Sequence, residues 1–157
     1  MRFRFPYLFI LIVSAQIYFP RIYIFETTLS IDLLLVLLTI YAIQYKRTYC
    51  IIIGFLFGIC QDMISQANLI GAFAMAKSIS GYALGSLNSF DKIWMKKIKY
   101  AYIFAIYMIH NSIYYYLKLF SVIEFLLAIK IIFIQSFVLL ILLELVNVFI
   151  YNRKLIK

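Results

Sequence analysis

Long apolar runs separated by short polar punctuation make up most of the chain, and none of them alternates apolar with polar positions. Leu33 to Leu38 and Phe137 to Leu143 are continuously apolar. Strands of a transmembrane barrel, which turn successive residues to lipid and lumen, do not read that way. The punctuation predicts about six helices near the roughly 17–25 residues that cross a bilayer. The first is the run from Tyr7 to Phe19, with Pro6 where a first helical turn tolerates proline. The others cover Thr28 to Tyr45, Tyr49 to about Ser65, Leu69 to about Leu87, about Tyr100 to Lys118, and about Phe125 to Tyr151. The expected fold class is all-α: a polytopic membrane protein with six transmembrane helices, one integral domain over 1–157.

Composition strengthens this reading. Hydrophobic residues are 66% of the chain and charged residues 13%, against roughly 45–50% and about 25% in ordinary soluble domains. The formal charge of +9 does not point to nucleic acid, because eleven of the fifteen lysines and arginines fall at the termini and in alternate loops. Those regions contain Arg2 and Arg4, Lys46 and Arg47, Lys92, Lys96, Lys97 and Lys99, and Arg153, Lys154 and Lys157, whereas the opposite loops hold Arg21 and Lys118. The positive-inside rule then places both termini in the cytoplasm. Arg2 and Arg4 before an apolar run resemble a signal peptide, but no secreted domain follows, so this segment is expected to remain as the first membrane helix. Cys50 and Cys60 lack companion ligands and are expected to be free thiols. The basic loop Lys92, Lys96, Lys97 and Lys99 surrounds Trp94. Lys92, Lys96 and Lys99 are expected on one helical face, serving as a retention signal or meeting anionic lipid while Ile93 and Trp94 enter the headgroup layer.

All five glycines lie between Gly54 and Gly85. Gly54, Gly58 and Asp62 recur every four residues, as do Lys77, Gly81 and Gly85, so each set forms a stripe on its helix. With only Ser65-Gln66-Ala67-Asn68 between them, the two helices are expected to be antiparallel neighbours whose glycines permit close packing. A charge near mid-bilayer is costly and is normally paired or functional. Lys77 is therefore expected to pair with Asp62 or Asp32, or to form with them a polar site for a partner helix or ligand. With the turn at Ala67, Asp62 and Lys77 are offset by roughly 7–8 Å, which a lysine stem nearly spans. Asp32, in the opening turn of its segment, also suits N-terminal capping. His110 is expected to be a hydrogen-bonded core histidine, with Asn111, Lys130, Gln135 and Glu144 as a second polar scatter. The sequence offers no metal set, activated nucleophile, phosphate loop or paired catalytic carboxylates, so neither an enzyme nor a cofactor is expected.

Several of these residues together resemble the rod shape-determining protein MreD family: Asp32-Leu33-Leu34-Leu35, the basic turn Lys46-Arg47, Gly54-x-x-x-Gly58-x-x-x-Asp62, Leu69-Ile70-Gly71, and Lys77-Ser78-Ile79-Ser80-Gly81-Tyr82-x-x-Gly85. Ile31 stands where members often carry proline. The resemblance implies a non-catalytic scaffold in the bacterial inner membrane, supporting cell shape and peptidoglycan synthesis. Its implied partners are MreC and, directly or indirectly, MreB and RodA with its transpeptidase. It also implies a fold similar to the substrate-binding subunits of energy-coupling-factor transporters, so a vitamin-type binding subunit is the alternative. Against that alternative, Ala15 lacks a second alanine four residues away and the outer loops are short. The scaffold reading expects no small-molecule ligand.

Overall fold

The computed structural model describes residues 16, 22–24, 27–29, 31–65, 71–90, 93–119, 125–149 and 156. Lys92, most of the turn around Ala67, Arg153, Lys154 and Lys157, and the expected first helix apart from Gln16 lie outside them.

The described elements are helical except for one ribbon. Strand β1 (Ile22–Ile24) pairs antiparallel with β2 (Thr27–Leu29), Ile22 opposite Leu29 and Ile24 opposite Thr27. Helix α1 (Leu33–Gln44) follows, then α2 (Arg47–Ser65), α3 (Ala72–Leu84), the short α4 (Ser86–Phe90), α5 (Lys96–Leu119) and α6 (Phe125–Phe149). The expected helix from Thr28 therefore starts five residues later. Thr27 and Thr28 are β-branched and join the ribbon instead, while Asp32 sets the helix start: its Oδ1 accepts the Leu35 N–H at 3.0 Å. Gln16 reinforces this end, with Oε1 accepting the Leu33 N–H and Nε2 donating to the Ile31 carbonyl, both at 2.9 Å.

At 12 residues, α1 is about 18 Å long, well short of a hydrocarbon core of about 30 Å. Leu34 through Ala42 are all buried, as expected for a helix that is apolar on every side and surrounded by others. The segment expected as one helix from Leu69 to Leu87 is also divided. It starts at Ala72, after Gly71 with φ of 103°, and ends at Leu84, with Gly85 as the cap beyond which α4 begins.

Helices α2 and α3 form the tightest contact in the fold. A Cβ placed on Gly58 would lie 2.2 Å from the Ala74 Cα, and one on Gly54 would lie 2.5 Å from the Lys77 carbonyl oxygen. In the other direction, a Cβ on Gly81 would lie 2.4 Å from the Cys50 carbonyl oxygen, and one on Gly85 would lie 2.6 Å from the Arg47 Cα. The two stripes share one contact without meeting glycine to glycine. Gly58, Gly54, Gly81 and Gly85 occupy successive levels along the antiparallel pair, so at each level one helix supplies the gap into which the other's backbone fits.

Among the described residues, two helices, α2 over 47–64 and α6 over 125–149, are long and apolar enough to cross a membrane, and 33% of an 18-residue apolar window in each is buried within the protein. Their outward faces are apolar: Tyr49, Ile52, Phe55, Leu56 and Met63 on α2, and Phe133, Phe137, Ile141 and Leu145 on α6. The interior instead encloses Asp32, Gln61, Asp62, Lys77, His110, Asn111 and Ser136. These polar groups sit beside a hydrophobic core that includes Leu34, Leu38, Ile103 and Leu139, so apolar side chains face both inward and outward, a combination compatible with a membrane protein.

Adding one methyl at the tightest level should force backbone movement. Gly58→Ala is expected to destabilise the detergent-solubilised protein by about 1–3 kcal/mol through overpacking, and Gly58→Leu to abolish accumulation in the membrane. Ala101→Leu, on the exposed face of α5, should leave the thermal midpoint unchanged. Equal stability of Gly58→Ala and the parent would contradict the contact.

Candidate functional site

Four helices meet around the Asp32 carboxylate. Because Asp32 caps α1, its side chain is held at a helix start inside the protein, with Oδ1 occupied by the Leu35 N–H and Oδ2 turned to the neighbouring helices. Lys77, from the middle of α3 and fully buried, brings Nζ to 2.5 Å from Oδ2. His110 of α5 places Nε2 at 3.3 Å from the same oxygen. Gln61 of α2 accepts a further hydrogen bond from Lys77 through Oε1, and the ammonium group also lies 4.8 Å from the centre of the Phe73 ring. Carboxylate, amide and aromatic face thus surround a cation with no access to water, which is how a buried charge becomes tolerable.

On its other side, His110 Nδ1 is 3.2 Å from the Ser80 Oγ. Ser80, His110 and Asp32 therefore stand in the order of a hydrolytic triad. The Ser80 hydroxyl, however, donates to the Ala76 carbonyl at 2.8 Å, and the three residues are 1%, 1% and 3% exposed. Lys77 also neutralises the carboxylate that would support an imidazolium. Among the described residues, the buried serine has its hydroxyl committed to the helix backbone and presents no exposed face to a substrate carbonyl. The cluster fastens helices together.

Asp62 has a different role from the one expected. It does not form the close pair with Lys77. Its Oδ2 accepts the N–H groups of Gly71 at 3.0 Å and Ala74 at 3.2 Å, and its Oδ1 accepts that of Phe73 at 3.2 Å. These belong to the first turn of α3, where backbone N–H groups lack partners within the helix and the dipole attracts negative charge. Asp62 thus caps its neighbour across the turn, and the left-handed backbone at Gly71 lets the chain enter α3 at that angle. Of the two pairings open in the sequence, the close one is Lys77 with Asp32.

Smaller polar links tie α5 to its neighbours. The Tyr107 hydroxyl lies 2.8 Å from Thr39 Oγ1, which itself donates to the Leu35 carbonyl, joining α5 to α1. Asn111 donates to Ser136 at 3.0 Å, joining α5 to α6. Tyr100 donates to Glu144, and Asn147 donates to both groups.

Of the basic face expected from Lys92, Lys96 and Lys99, Lys92 lies outside the described residues, and Lys96 and Lys99 do not share an exposed side. Helix α5 begins only at Lys96, where Lys96 and Lys97 are exposed but Lys99 is buried. Lys99 is one helical turn before Ile103 and shares the inward stripe of Ile103, Ile106, Tyr107 and His110. That periodicity, rather than the cluster of lysines, sets its direction.

Gln61 and Gln16 are not among the residues expected to matter, and Ser80 enters only within the Lys77–Gly85 motif, although polar residues inside apolar runs are the signal that finds them. Among the described residues, no group of three His, Cys, Asp or Glu side chains could hold a metal ion. A groove of about 690 Å³ runs between α3, α5 and the start of α6. Its walls are mainly apolar, including Met75, Tyr115, Phe125, Ile129 and Ile132, and exclude every residue of the Asp32 cluster. The chain matches no family model, no curated protein and no solved structure.

The two aspartates should separate in a double-mutant analysis. Lys77→Met is expected to cost about 3–5 kcal/mol by leaving the Asp32 charge without its ammonium partner. Lys77→Met with Asp32→Asn should recover part of that loss, whereas Lys77→Met with Asp62→Asn should destabilise nearly additively. Thermal midpoints of the purified variants measure both couplings; a larger coupling to Asp62 would contradict the assignment.

Proposed function

We propose that this chain is a non-catalytic, multi-pass scaffold of the bacterial inner membrane, of the kind implied by its resemblance to the MreD family. In this reading it has six membrane-spanning helices and cytoplasmic termini. It acts in cell elongation and wall synthesis by binding MreC and, directly or through it, MreB and RodA with its transpeptidase. The observation that carries the proposal is the use of the interior polar groups. Asp32, Lys77, Gln61 and His110 bond to one another, and Asp62 bonds to backbone. A small-molecule site needs convergent polar groups facing a cavity; here they are consumed in holding α1, α2, α3 and α5 in one arrangement. What remains for other molecules is a rigid body with apolar outer faces, the form in which a membrane scaffold presents helices to other helices.

The vitamin-binding alternative makes a different demand. Among the described residues, a ligand carrying polar groups would meet the buried Asp32 pair or the apolar groove between α5 and α6, whose lining offers it little hydrogen bonding.

Topology and partner can be tested together. Reporter fusions after Arg47 and Lys97 are expected to be cytoplasmic, and one after Asn68 periplasmic. The full chain, extracted from a rod-shaped bacterium, should retain MreC on affinity purification. A periplasmic C-terminus would overturn the six-helix topology, and reproducible recovery of a vitamin in place of MreC would overturn the scaffold reading.

A further inference from the structure

The end of the protein where α2 and α5 begin is cationic and partly apolar. Arg47 starts α2 directly against the end of α3, since a Cβ on Gly85 would lie 2.6 Å from the Arg47 Cα. The start of α5 meets the same end of α3: Tyr102 donates to the Ala83 carbonyl at 3.0 Å. Lys46, Arg47, Lys96 and Lys97 are thereby gathered on one side of the molecule. Arg47 lies 4.7 Å from the centre of the Tyr82 ring, and Lys96 lies 5.8 Å from that of Tyr100. No described carboxylate forms an ion pair with any of these four cations.

Ile93 and Met95, immediately before these lysines, are 74% and 75% exposed. Their outward position is fixed from within. Trp94, between them, stacks on Phe90 at 4.8 Å and meets the edge of Tyr102 at 5.0 Å. The Ile93 and Trp94 N–H groups both donate to the Phe90 carbonyl at 3.0 Å. Anchoring Trp94 inward turns its two neighbours outward, next to Lys96 and Lys97.

From this arrangement we infer that the basic end selects anionic phospholipid headgroups over zwitterionic ones. Lysine and arginine meet the phosphate layer while Ile93 and Met95 enter the apolar boundary beneath it. This combination of charge and buried aliphatic surface holds peripheral helices to anionic membranes. A phosphate layer over hydrocarbon supplies both kinds of contact side by side. The inference rests on the membrane reading above and adds a lipid class to it.

The test uses the full chain in nanodiscs of phosphatidylcholine alone or mixed with phosphatidylglycerol. Lipid retained after detergent extraction is measured by mass spectrometry. The parent should retain phosphatidylglycerol above its share of the disc. Lys96→Gln with Lys97→Gln should reduce that enrichment by about five-fold for each lysine, equivalent to about 1 kcal/mol apiece near an anionic surface. Lys97→Gln alone should fall between. Lys130→Gln, which removes an exposed charge on α6 far from Glu144 and Asn147 at the Tyr100 end, should keep the parent's enrichment. Thermal midpoints in phosphatidylcholine discs establish that each variant is folded. No enrichment in the parent, or equal loss in Lys130→Gln, overturns the inference while leaving the membrane reading intact. Failure of the parent to enter discs overturns both.

Discussion

The Asp32 carboxylate is the constraint on which the rest of the described structure depends. A charge inside an apolar assembly must be matched on every side, and here the match comes from three helices besides its own. Lys77 lies 2.5 Å away and His110 3.3 Å away, while Gln61 takes a second bond from Lys77. None of these helices can slide or rotate by a residue without leaving part of the cluster unmatched. Polar contacts of this kind matter more where burying hydrocarbon supplies no adhesion, because the surroundings are as apolar as the side chains.

Close backbone packing supplies the other part of the adhesion. The interleaved levels of Gly58, Gly54, Gly81 and Gly85 bring α2 and α3 to backbone contact along their length. Asp62 closes the same pair at its turn by accepting three N–H groups of the α3 start. The two effects reinforce each other. The glycine contact holds α2 and α3 together at Gly54 and Lys77, the level from which Lys77 reaches both Gln61 and Asp32. Both aspartates consequently sit at helix starts inside the protein, Asp32 on its own helix and Asp62 on its neighbour's.

The helical class is legible in the sequence because continuous apolar runs with polar breaks leave no strand-like alternation. The α2–α3 contact is legible too, because the four-residue glycine spacing is periodic information that the fold uses directly. The ribbon at Ile22–Leu29 and the late start of α1 are harder to read. A stretch such as Thr27-Thr28-Leu29 fits either a strand or the end of a helix, and the cap at Asp32 decides between them. The partner of Lys77 is not legible from axial distance alone. Asp62 is near enough along the hairpin, but the orphan N–H groups of α3 take it first, and Asp32 arrives from a helix 45 residues earlier in the chain. Lys99 shows the converse: its place in a lysine cluster suggested exposure, whereas its phase with Ile103 and Tyr107 places it inside.

In a membrane the outer faces would contact hydrocarbon while the polar groups are sealed within. Spin labels at Phe133, Phe137, Ile141 and Leu145 of α6, all exposed, can be compared with a label at Phe149, exposed at the last residue of the same helix. In lipid vesicles the first four should be accessible to dissolved oxygen and protected from a water-soluble nickel complex, with nickel access rising only toward Phe149. Strong nickel access at all of them would place that face in water and contradict the account.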